Sequence, residues 1–219
     1  MNLLRNWFFI QTAAINPEAQ SVKFKDEVMG RLVQFVSSHE VGHTLGLPHN
    51  FASSHAYPVE KLRDTAFTKE MGTAPSIMDY ARFNYIAQPG DEGVSLMPNV
   101  GPYDKYAVAW GYRPIPDATT PEDELKTLDK WILEKQGDPV YRYGRQGNSY
   151  DPTAQSEDLG DNSMKASEYG IANLKRIMPN LMEWTAEPNK PYKDFDDLDE
   201  MYGQVITQFN RYMGHVKTN

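Results

Sequence analysis

His39-Glu40-Val41-Gly42-His43-Thr44-Leu45-Gly46-Leu47-Pro48-His49-Asn50 is the stretch from which the rest of the chain is best read. Two histidines four apart on a helix lie one turn above the other, so both imidazoles point to one side. That pair can hold two corners of a tetrahedral zinc site. Glu40 sits partly round the same side and can take a proton from a metal-bound water without being a ligand. Gly46 can adopt the left-handed conformation that ends a helix. Pro48 keeps the helix from resuming, and the turn could return His49 as a third ligand. Three protein nitrogens leave a fourth position for water, the mark of a catalytic rather than a structural zinc site.

A polar helix face is the bland alternative. The preceding residues argue against it, because Val28, Leu32, Phe35 and Val36 fall at helical spacing. At about 100° per residue, His39 and His43 fall within roughly 20° of Leu32. The histidines therefore continue an apolar stripe expected to face the interior. Buried imidazoles need partners, and a metal supplies one to several at once. Three of the chain's five histidines lie within these eleven residues.

The string resembles the metzincin clan of zinc metalloproteases, whose pattern is H-E-x-x-H-x-x-G-x-x-H. A second landmark of that clan is a methionine turn. Ser76-Ile77-Met78-Asp79-Tyr80 fits it, 29 residues beyond His49. The resemblance implies that Met78 forms an apolar floor under the metal and is not itself a ligand. It also implies that Tyr80 helps to stabilise the transition state, as a matching tyrosine does in the astacin branch. The two segments together look like a group of large, poorly characterised bacterial zinc-dependent metalloproteases. That resemblance implies Zn2+ as cofactor, a peptide or protein substrate, and an extracytoplasmic location.

Bulk properties narrow the classes further. The chain has 219 residues and a net charge of −8, with a pI near 5.1. Nucleic-acid binding wants a basic face, so that class is disfavoured. Cysteine is absent, which excludes disulfides and thiolate ligands but does not fix the compartment. No stretch is long enough to span a bilayer. Trp7-Phe8-Phe9-Ile10 is too short an apolar run for a signal peptide. Metzincins place a twisted sheet before the active-site helix, and only 38 residues precede His39. The chain therefore reads as a piece of a longer protein with most of that sheet missing.

The expected fold is mainly α: a metzincin-like active-site helix plus a C-terminal helical subdomain. An α+β fold with a small sheet is the alternative. The expected division is 1–112, the catalytic core portion, and 113–219, a helical region packed on it. Residues 3–13 form a strand or a short helix. The active-site helix should start near Lys23 to Asp26 and end near Leu45. His55 reads as a surface histidine rather than a fourth ligand. Pro89-Gly90, Gly93, Pro98 and Gly101-Pro102 make residues 81–102 loop. By analogy with metzincins, that loop walls the specificity pocket.

Tyr103–Gly111 should be a short helix. Thr120-Pro121-Glu122-Asp123-Glu124 is a helix start, with Leu125, Leu128, Trp131 and Ile132 as a buried stripe. Residues 138–162 read as a solvated loop, in which Asp151, Glu157, Asp158 and Asp161 match no calcium-loop spacing. Two amphipathic helices should follow. One covers about Ser163–Trp184. The other covers about Phe195–Val216, on Leu198, Met201, Tyr202, Val205, Ile206, Phe209 and Met213. A turn at Glu187-Pro188-Asn189-Lys190-Pro191 separates them.

Two functions follow. The first is a zinc-dependent endopeptidase in which His39, His43 and His49 bind zinc and Glu40 is the general base for a zinc-activated water. The alternative is a metal-binding helical scaffold or fragment that does not cut peptides by itself.

Overall fold

The computed structural model describes residues 2–145, 150–186 and 195–218. The turn expected at 187–191 lies outside them. The helices are α1 (Asn2–Thr12), α2 (Asp26–Thr44), α3 (Thr65–Met71), α4 (Pro102–Tyr112), α5 (Pro121–Leu133), α6 (Ser163–Ile177), α7 (Leu181–Trp184) and α8 (Asp196–Thr218). Among the described residues there is no sheet, and an isolated antiparallel bridge joins Asn50 to Arg145. The mainly α reading holds, and the small-sheet alternative does not.

Residues 3–12 are helical, not a strand. Phe8, Phe9 and Ile10 on α1 are buried, and Phe8 meets Phe24 and Phe83 edge-on at 5.5 and 5.1 Å. Helix α1 packs against both α6 and α8, so the first residues of the chain and its last helices share one core.

Four expected placements differ. The stripe on α5 is not buried, since no residue of that helix is. Trp110 reaches it by donating Nε1–H to Leu128 C=O at 3.3 Å, and the Arg113 guanidinium lies over Trp131. Amphipathic spacing shows which face is apolar but not whether another element covers it.

On α8, Met201, Val205 and Tyr212 are buried, whereas Tyr202, Ile206, Phe209 and Met213 are exposed. Two adjacent apolar rows share the 4-3 spacing, and only one faces the neighbouring helices.

Residues 81–88, the first part of the loop expected to wall a pocket, are packed largely inside the protein. Phe83, Tyr85, Ile86 and Ala87 are core, and Asn84 is buried with its Nδ2 donating to Leu62 C=O and Ser95 C=O.

Residues 138–162 are not uniformly solvated. Glu157, Asp158 and Leu159 are buried, and Glu157 is ion-paired to both Arg82 and Arg211. Arg82 (φ 56°) and Glu157 (φ 67°) are the non-glycine residues with left-handed backbones among those described. Their mutual ion pair, and the stacking of Arg82 on Trp7, over-determine that strained geometry.

Candidate metal centre

Helix α2 begins with Asp26 and Glu27 at its positive end and keeps Val28 and Leu32 in the core. It ends as the glycine predicts. Gly46 has φ 81°, Gly46 N–H donates to His43 C=O at 3.0 Å, and Leu47 N–H donates to Gly42 C=O at 3.1 Å. That pair of bonds is a Schellman cap, which reverses the chain and brings His49 back over the helix.

The Nε2 atoms of the three histidines converge. His39 and His43 lie 3.2 and 3.1 Å from His49. Nitrogens held about 2.0–2.1 Å from a tetrahedral zinc are about 3.3 Å apart, so the spacing fits one ion at the apex.

The other ring nitrogens are committed elsewhere. His39 Nδ1–H donates to Ile77 C=O at 2.7 Å, and His43 Nδ1–H donates to Leu47 C=O at 2.9 Å. Each bond selects the tautomer whose Nε2 lone pair faces the centre. Burial, reinforced by the charges of His43 and His49, holds the His39 imidazolium below its ordinary pKa; Ile77 C=O and Glu40 oppose the shift. A neutral ring is the form that binds metal.

The surroundings are graded. His39 is only 5% exposed, His49 is half-buried and His43 is exposed. The expectation that the whole stripe faces the interior therefore holds for His39 but not for His43. Glu40 is exposed and close enough for its charge to act on His39. The Tyr80 ring stacks on His39 with centroids 5.4 Å apart and lies 4.5 Å from that of His49. His55 is outside the cluster.

Met78 is fully buried against α2. A Cβ on Gly42 would stand 2.2 Å from its Sδ, so the glycine between the two helical histidines is what lets the methionine in. Met78 C=O accepts from Asn50 N–H at 3.1 Å, tying the residue after His49 to the same turn.

The profile of a family described as Met-zincin matches residues 21–219. The chain belongs to the Met-zincin family. No curated protein and no solved structure matches it. Membership points to zinc metalloprotease chemistry and to a metal at the three histidines of this Met-zincin.

Sequence reasoning passed over three residues beneath the cluster. Asn50 is buried, donates Nδ2–H to Arg142 C=O at 2.9 Å and accepts from Gly144 N–H at 2.9 Å. Ser76 and Asp104 are buried and bonded to each other. Asp104 fell inside the expected 103–111 helix without being singled out, and spacing held no signal of its partners.

Residues 94–100, with Phe35 and Ser38 of α2 and Ile77, line a cleft of about 640 Å³. The later part of the expected wall thus borders a cavity beside the helix that carries His39. No helix among the described residues is long and apolar enough to cross a membrane.

Proposed function

We propose that this Met-zincin is a zinc-dependent endopeptidase. The observation that carries the reading is the convergence of three imidazole Nε2 atoms, two of them tautomerically fixed from behind, beside an exposed carboxylate. His39, His43 and His49 would hold the metal. When bound, zinc lowers the pKa of its water to about 7 and polarises the scissile carbonyl. Glu40 takes the water proton and delivers it to the leaving amine. Tyr80 donates its hydroxyl to the developing oxyanion. Met78, as the methionine turn, keeps the floor apolar.

The cleft at 94–100 receives a side chain flanking the scissile bond. Residues 1–112 act as the catalytic portion, with 113–219 as the helical region behind it. The substrate is an extracytoplasmic peptide or protein.

The test is metal content and peptide hydrolysis for the wild type and Glu40→Gln. Both proteins should hold zinc, and hydrolysis by the variant should fall by about 10²–10⁴ or more. Full activity in Glu40→Gln would rule the mechanism out.

One observation favours the scaffold reading. No strand among the described residues flanks the cluster, and an extended substrate is commonly held on a strand edge. If this chain and a longer one carrying such a strand cleave the same peptide at equal rates, the scaffold reading is discarded.

A further inference from the structure

A buried carboxylate holds the segment on which His39 leans from behind. Asp104, at the third position of α4, is 3% exposed and uses both oxygens. Its Oδ1 accepts from Ser76 Oγ–H at 2.5 Å. Its Oδ2 accepts from Ile77 N–H at 2.8 Å and from Gly101 N–H at 2.8 Å.

The Gly101 bond is ordinary helix capping. The other two are not, because they reach back across the fold to the segment containing Met78. Ser76 Oγ in turn accepts from Met78 N–H at 3.0 Å. Three consecutive residues, 76 to 78, are thereby pinned on their donor sides. The carbonyls that leave this segment are aimed at the metal-binding string: Ile77 C=O at His39 Nδ1 and Met78 C=O at Asn50 N–H, next to His49.

We propose that Asp104 is a positioning residue for the metal centre, setting the ring orientation and tautomer of His39 through the backbone of Ile77. The proposal rests on the reading of His39 as a ligand. Groups that fix a ligating imidazole from behind commonly contribute 10–100-fold to metal affinity. A carboxylate suits the task because it accepts from three donors at once, whereas an amide offers a single acceptor oxygen. Asp104→Asn keeps size and shape but leaves Ser76 Oγ–H and Ile77 N–H competing for fewer acceptors.

The experiment uses Asp104→Asn and the milder Ser76→Ala. Asn173→Ala serves as a control, since Asn173 bonds Tyr85 C=O and Ala87 C=O from α6. Long-range nitrogen–proton NMR on metal-free protein reads the His39 tautomer. Competition against a chelator, with Zn2+ alone, reads affinity.

The wild type should show a single Nδ1–H tautomer at His39. Asp104→Asn should show a mixture and bind Zn2+ about 10–100-fold more weakly. Ser76→Ala should move both readouts in the same direction by less, and it decides the matter if Asp104→Asn does not fold. Asn173→Ala should destabilise the chain and move neither. An unchanged tautomer and affinity in a folded variant overturns the proposal, and so does an equal change in the control. Should the wild type bind no zinc while the tautomer still shifts in Asp104→Asn, the metal reading falls and the positioning role stands.

Discussion

His39 and His43 lie one turn apart on the same helix face, yet in different media. His39 is buried and its Nδ1 bonds to Ile77, a residue 38 positions away. His43 is exposed and its Nδ1 bonds to Leu47, four positions away in its own cap. The pair divides the site into a floor and a rim. The floor, made of His39, Met78, Gly42 and the carboxylates behind them, is held by contacts distant in sequence. The rim, made of His43, Glu40 and Tyr80, is open to solvent; His43 and Glu40 are placed by the helix and its cap, and Tyr80 by packing on His39 and His49. Changes on the floor should therefore cost stability as well as metal, and changes on the rim should cost metal binding (His43) or reactivity (Glu40, Tyr80) with little loss of stability.

Gly42→Ala probes the floor most severely. The added methyl would meet Met78 Sδ at 2.2 Å, and overpacking of this kind costs about 1–3 kcal/mol. Chemical denaturation should find that loss, and combined with Met78→Ala the two changes should cost less than the sum of each alone. A Gly42→Ala protein as stable as the parent would erase the distinction between floor and rim.

Next in size is a pH effect from a buried pair behind the floor. Ser54 N–H donates to Asp79 Oδ2 at 2.6 Å, and Ser54 Oγ–H donates to Asp158 Oδ1 at 3.1 Å. Burial pushes Asp158 up to about 7. Burial, and then the charge of Asp158, raises Asp79 as well. An unfolded aspartate titrates near 3.9, so between about 4 and 7 the folded chain keeps a proton that the unfolded chain has released. Stability is then highest at the acid end of that window and falls as pH rises to about 7. Asp158→Asn should flatten the decline. Urea midpoints across that range check it, and a wild-type curve without the decline would show both groups to be ionised when folded.

Tyr80→Phe probes the rim and should be the mildest in stability, within about 0.5 kcal/mol. If its hydroxyl meets the oxyanion, turnover falls by about 10² with zinc affinity unchanged. A stability loss like that of Gly42→Ala would move Tyr80 to the floor.

Legibility followed the range of the forces. Helix α2, its cap at Gly46 and the return of His49 depend on residues within about ten positions and were readable. The extents of α4 and α8 were readable from apolar spacing, but the helix expected over 163–184 ends at Ile177, and a 3-10 turn at Met178–Asn180 separates it from α7. The exposed faces of α5 and α8 were not readable, because burial depends on which neighbour arrives. The acidic run at 157–158 read as solvated because charge ordinarily means water. Glu157 is instead neutralised by Arg82 and Arg211, which lie 75 and 54 positions away. Asp104 was not singled out, because its partners Ser76 and Ile77 lie 28 and 27 positions away.

The amino-acid order alone showed that three imidazoles meet with a carboxylate beside them, because the 3.6-residue turn and one left-handed glycine suffice to bring them together. Only the folded chain decided which imidazole lies out of water and which nitrogen of His39 faces the centre. Those properties depend on a carbonyl and a carboxylate delivered from elsewhere in the chain, and hydrogen-bond direction and burial exist only once distant segments have met.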